Sequence, residues 1–124
     1  MMKTVSTTNA PAAIGPYAQA IQIGDVLYTS GQIPLTAEGE LVTGGIDKQV
    51  RQVLANLDAV LTAAGLSRAN VVKTTIFMTN LGDFQTVNEI YGEFFADHRP
   101  ARSTVQVAAL PRGAEVEIEC IAHK

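Results

Sequence analysis

The stretch from Pro100 to Ala122, PARSTVQVAALPRGAEVEIECIA, constrains this chain more than any other. It reads as two strands joined by a short turn. From Ser103 to Leu110, Val105 and Val107 fall on one face, and Thr104 and Gln106 on the other. Pro111, Arg112 and Gly113 carry the turn signal. Glu115, Glu117 and Glu119 then alternate with Val116, Ile118 and Cys120, so all three carboxylates point the same way. Same-face neighbours on a strand lie only about 6–7 Å apart. Three ionised carboxylates in such a row repel one another unless water or a cation compensates. Arg102, at the start of the first strand, is the candidate compensator. A fixed guanidinium near a carboxylate on a stiff scaffold is what a site for a small carboxylate-bearing substrate requires. The competing reading is a solvated acidic face or a structural ion pair.

The rest of the chain alternates strand and helix signals. Residues 1–13, MMKTVSTTNAPAA, are small and polar and read as an extended lead-in. Ile14-Gly15-Pro16-Tyr17 is a bend. Tyr17–Ile23 and Val26–Ser30 flank the turn dipeptide Gly24-Asp25, which predicts a hairpin. Gly31 allows close approach of a backbone or ligand, and Pro34 cannot donate to a sheet ladder. Glu38-Gly39-Glu40 marks a surface turn. Asp47 to Ala64 places Val50, Val53, Leu54, Leu57, Val60, Leu61 and Ala64 on one helical stripe. Lys48, Gln52, Asn56 and Asp58 fall off that stripe. Asp47 is a fair N-cap and Gly65 a stop. Asn70 to Thr79 is β-rich and predicts a central strand. A second helix begins near Asp83 and runs to about Asp97, with Phe84, Val87, Ile90, Tyr91, Phe94 and Phe95 as its apolar side. Pro100 ends it. Two helices of this kind can both pack on one face of a single sheet.

With 124 residues the chain is expected to form one domain, residues 1–124. Charged residues make up 17%, below the usual quarter, as expected where part of the surface is hidden against other copies. The net charge of −3 gives no global attraction to nucleic acid or anionic membranes. The single cysteine, Cys120, excludes an internal disulfide, and neither His98 nor His123 has metal-ligand spacing, so no metal is expected. No apolar run approaches the roughly 20 residues of a membrane span, and no signal-peptide pattern opens the chain. A cytoplasmic location is expected.

NAPAAIGPYAQAI, YTSGQIP, VVKTTIFMTNLGDFQTVNEIY and PARSTVQVAALPRGAEVEIECIA together resemble the signature blocks of the reactive intermediate deaminase family, RidA or YjgF. The resemblance runs from about Asn9 to Ala122. It implies an α+β fold similar to that of chorismate mutase: a six-stranded mixed sheet with two helices on one face. It further implies a homotrimer with sites between subunits, and hydrolysis of enamines and imines such as 2-aminoacrylate and 2-iminobutanoate to 2-oxo acids and ammonia. No cofactor takes part.

The resemblance also assigns roles. Arg102, in PARS, matches the family's carboxylate-binding arginine; its parallel N–H groups suit that task. Glu117 matches the glutamate that passes protons between water and the leaving nitrogen. Tyr17, in GPY, places a hydroxyl at the cleft wall. Ser30 and Gly31 match a tight backbone lining the pocket, and Asn88 a polar position beside it. Thr104 stands where many relatives carry cysteine, which tells against a covalent thiol mechanism, while its backbone remains available to orient substrate. Arg99 occupies a shortened segment where many relatives place an aromatic residue before the proline, which bears on pocket size and substrate preference. Were the last two strands a simple hairpin, Glu117 would sit roughly 13 Å along from Arg102's partner. The resemblance implies instead that these strands are not neighbours. Each residue also has a plain structural reading: ion pairing for Arg102, solvation for Glu117, packing for Tyr17, capping for Asn88, turn geometry for Gly31. Two other functions compete: a trimer that binds or senses small carboxylates without turnover, and a ribonuclease or translation inhibitor. The acidic balance disfavours the latter.

Overall fold

Two apolar stripes set the layers of this computed structural model, which describes residues 1–124. Helix α1, Ile46–Ala63, buries Val50, Val53, Leu54, Leu57, Val60 and Leu61, as the three-and-four spacing predicts. Its N-cap is Gly45, at φ 125°, and not Asp47. Asp47 lies in the first turn, where its charge still favours the positive end of the helix. At the other end Gly65 takes φ 76°. The Gly65 and Leu66 N–H groups turn back to the carbonyls of Thr62 and Leu61, which satisfies acceptors the helix leaves over. Helix α2, Phe84–Phe95, buries Val87, Ile90, Tyr91 and Phe95. A 3₁₀ turn over Leu81–Asp83 leads into it, capped by the Asn80 side chain, which accepts from the Gly82 N–H at 2.8 Å.

Six strands form one mixed sheet: β1 (Met2–Val5), β2 (Ala20–Ile23), β3 (Val26–Thr29), β4 (Val71–Met78), β5 (Ala101–Gln106) and β6 (Val116–His123). Their spatial order is β1-β2-β3-β6-β4-β5. Only β4 and β5 run parallel, and α2 provides the crossover that a parallel pair needs. The expected α+β architecture is therefore present. Three expectations shift. Residues 2–5 are an edge strand rather than a lead-in, paired with β2. The strand expected over Ser103 to Leu110 is shorter and begins earlier, at Ala101. The hairpin read from the residues alone is absent, because β4 lies between β5 and β6, which is the non-adjacent arrangement the resemblance implies. This follows from burial. Val71, Ile76 and Met78 on β4 and Val116, Ile118 and Ala122 on β6 are at most 1% exposed, as suits the two central strands.

One sheet face packs under α1 and α2. Leu27, Ile76, Met78 and Ile118 meet the helical stripes there in a single core, each such side chain contributing about 1.5–3 kcal/mol. No helix covers the other face, which carries Tyr28, Ile121, Glu119, Glu117, Thr75, Phe77 and Val105 by strand parity. Asn56, expected off the buried stripe, is 1% exposed. Its amide donates to the carbonyls of Ile33 and Leu35 and so ties the Gly31–Leu35 segment to α1.

Candidate functional site

Strand register decides which residues can share a site. In β4–β5, Arg102 pairs with Thr74; in β4–β6, Glu117 pairs with Phe77. Paired residues project to the same face, and Thr74 and Phe77, three apart on one strand, project to opposite faces. Arg102 therefore stands on the helix side and Glu117 on the uncovered side. The expected site is split into two halves within one chain.

The first half lies where the edge strand β5 meets α2. Arg102 donates through Nη1 to Oδ1 of Asn88 at 2.7 Å. Its guanidinium carbon lies 4.9 Å from the ring centre of Tyr91 and 5.2 Å from that of Phe84, both within cation–π range. Tyr91 is itself anchored, its hydroxyl 2.6 Å from that of the buried Thr74; burial raises its pKa. The ion pairs of the chain are Arg51–Glu93 and Arg68–Asp58, so Arg102 has no carboxylate partner. An amide and two rings hold it in position, and no carboxylate of the same chain pairs with it. Arg102 borders a cavity of about 400 Å³ shared with Asn88, Tyr91, Gly92, Arg99 and Pro100. Thr104 follows on the same side of β5. Its hydroxyl is shielded and has no hydrogen-bond partner, and with Leu81 and Phe84 it borders a second open cavity.

The second half is built on β6 and the segment that bridges to it. The Gln32 N–H donates to the Ile118 carbonyl at 2.9 Å, and the Ile118 N–H returns the bond at 3.1 Å. This clamps Gly31 against β6. A Cβ at Gly31 would overlap the Glu117 carboxyl, with Cδ, Cγ and Oε2 all inside contact distance. Glycine is needed here for close approach, not for turn geometry. Glu117 is half-buried, and burial raises its pKa, with neighbouring Glu119 adding to the effect. The Ser30 hydroxyl donates to the Ala18 carbonyl at 2.6 Å and its N–H to that of Gln19, so Ser30 acts as a strut. Tyr17 is 54% exposed. It shares a small cavity of about 60 Å³ with Gly31.

Gln19 carries weight that its sequence context gives no sign of. It is 4% exposed. Its amide accepts from the Thr7 N–H and donates to the Pro11 and Thr7 carbonyls, which pins the N-terminal segment beside Tyr17. Phe84 and Tyr91, apolar helix positions by their spacing, form the platform under Arg102. Cys120 lies on the helix side, and burial pushes its thiol up to about 11, consistent with a packing role.

Residues 7–124 match a family model described as endoribonuclease L-PSP. The chain is 54% identical to a mouse protein named 2-iminobutanoate/2-iminopropanoate deaminase, over 97% of this chain and 90% of that protein. It is 49% identical to an Escherichia coli K12 protein of the same name, over 98% of each. A crystal structure of the YjgF gene product from E. coli superposes with a TM-score of 0.94 at 48% identity, covering 98% of each chain.

Proposed function

The chain belongs to the endoribonuclease L-PSP family, which includes the RidA/YjgF proteins, and from that premise we propose that it hydrolyses 2-imino acids and their enamine tautomers to 2-oxo acids and ammonia. The reading rests on one observation above all: an uncompensated, positionally fixed Arg102 on one sheet face and a desolvated Glu117 on the other. Its near full-length likeness to proteins named as such deaminases supports the same chemistry.

The two halves meet if a second copy covers the helix-free face. That face exposes Ile23, Tyr28 and Val105 at 47%, 46% and 41%, apolar surface that a partner would bury. Bringing the β5–α2 edge of one copy against β6 of the next places Arg102 opposite Glu117, Gly31 and Tyr17. A ring of three such copies closes without leaving a free face.

In the joined cleft Arg102 holds the substrate carboxylate through the N–H groups that Asn88 leaves free. Asn88 fixes the fork, and Thr104 lines the floor. Glu117 accepts a proton from water as its oxygen bonds to the imine carbon, then delivers that proton to nitrogen. Glu117 then relays the hydroxyl proton of the tetrahedral adduct to the nitrogen, the C–N bond breaks, the C=O bond forms and ammonia leaves. A raised carboxyl pKa suits Glu117 to both transfers. Tyr17 reaches the cleft wall with its hydroxyl, and the Gly31 backbone and the Ser30 strut hold the Glu117 side in shape. The balance is one imine and one water to one 2-oxo acid and one ammonia. The reaction calls on no metal or organic cofactor.

Added to a threonine dehydratase reaction, the protein is expected to speed 2-oxobutanoate release. Arg102→Ala should lose that gain by about 100-fold or more, given the 1.5–3 kcal/mol of each hydrogen bond to a charged group and the loss of positioning. Full activity in that variant would overturn the reading. The family description also raises RNA cleavage. The net charge of −3 disfavours that activity, since RNA binding draws on a positively charged groove along the backbone. RNA cleavage by the purified protein that survives loss of Arg102 would favour that alternative.

A further inference from the structure

The cavity beside Arg102 holds a second guanidinium that the chemistry above does not use. Arg99 ends the turn after α2 and borders the same space of about 400 Å³ as Arg102 and Asn88. Its Nη1 donates to the carbonyls of Ala96 and His98, which anchors the head and leaves Nη2 and Nε free. Arg99 is exposed and belongs to neither ion pair of the chain. The four remaining lining residues bring no carboxylate. One small cavity thus contains two fixed positive forks and no negative charge. A substrate with a single carboxylate satisfies Arg102 and leaves Arg99 facing water.

We propose that Arg99 determines specificity by binding a second carboxylate, so that the site prefers 2-imino dicarboxylates over 2-imino monocarboxylates. The inference rests on the hydrolytic reading above and narrows its substrate class. Arg102 takes the carboxylate next to the C=N carbon, because that end must sit at the reacting centre. Arg99, which precedes β5 and borders the same cavity, takes the far carboxylate. Imines of this class arise when the C–N bond of an acidic amino acid is oxidised. β-Elimination from serine or threonine leaves only one carboxylate and cannot supply them.

Binding and turnover separate the possible results. In titration calorimetry the wild-type protein should bind 2-oxoglutarate at least about tenfold more tightly than 2-oxobutanoate, the scale of one charged hydrogen bond. Arg99→Gln should remove that difference, with an unchanged melting temperature as the check on folding. In turnover, iminosuccinate made in place by a flavin oxidase acting on D-aspartate is compared with 2-iminobutanoate from threonine dehydratase. The ratio of the two kcat/KM values should favour iminosuccinate and fall about tenfold in Arg99→Gln, through KM rather than kcat. Equal wild-type affinities, or a ratio unmoved by the substitution, would overturn the proposal while 2-iminobutanoate hydrolysis still upheld the deaminase reading. Selective dicarboxylate binding that depends on Arg99, with neither imine hydrolysed, would support the proposed selectivity and overturn the deaminase reading.

Discussion

Gly31 shows how one absent side chain can make room for a carboxyl, here that of Glu117, the proposed acid–base group. The Glu117 carboxyl lies where a Cβ at Gly31 would be. The colliding atoms belong to the end of a flexible side chain, so Gly31→Ala should displace the carboxyl at little cost in folding. The melting temperature should stay near wild type while kcat falls by about 100-fold, the scale of losing a positioned acid–base group. Since both changes remove the same interaction, Gly31→Ala in a Glu117→Gln background should cost almost nothing more. Glu117 also makes a pH prediction. Its folded pKa is raised by burial and by Glu119, so the folded state binds that proton more tightly than the unfolded chain does. This contribution is fully present below the unfolded carboxyl pKa and is lost as pH rises through the folded value. Glu117→Gln should therefore melt above wild type near neutral pH, and the gap should close as the pH falls to about 4. Thermal melts across that range provide the check. The residue types at Arg102, Glu117 and Gly31 were legible from chemistry and motif. The partnership of Arg102 with Asn88, Tyr91 and Phe84 was not, because it depends on how α2 lies over β5.

Among the elements, α1 and β6 were the most readable. α1 repeats apolar residues at the helical period over 18 residues, and β6 alternates acidic and apolar side chains along most of its length. Both signals are local. β1 was missed because a four-residue strand with only Val5 buried carries no usable period; its pairing with β2 defines it. The same limit hid the face assignment. Arg102 and Glu117 part to opposite sides only through the registers Arg102–Thr74 and Glu117–Phe77, and these pairings link distant segments. The readable stripe on α1 bears the load of the core. Leu57, 1% exposed between the layers, predicts a loss of about 2–5 kcal/mol in Leu57→Ala by denaturant titration. Asn56 on the same helix faces a different demand, since its amide holds the carbonyls of Ile33 and Leu35.

On the scale of the whole molecule, a sheet with helices on one side and exposed Ile23, Tyr28 and Val105 on the other is half of a layered structure. Its low charge content hinted at hidden surface, but no sequence feature says which face is hidden. Strand parity bears on that step: it puts Arg102 and Glu117 on opposite faces, so the cleft we propose takes one face from each of two copies. Co-expression of Arg102→Ala and Glu117→Gln subunits tests this most directly. Each variant alone should be nearly inactive. In mixed trimers one cleft in three unites an intact Arg102 with an intact Glu117, so equal mixing should restore about a quarter of the wild-type deaminase rate. A mixture no more active than the two separate variants would contradict the account, because it would mean that each site draws both residues from one chain or needs neither.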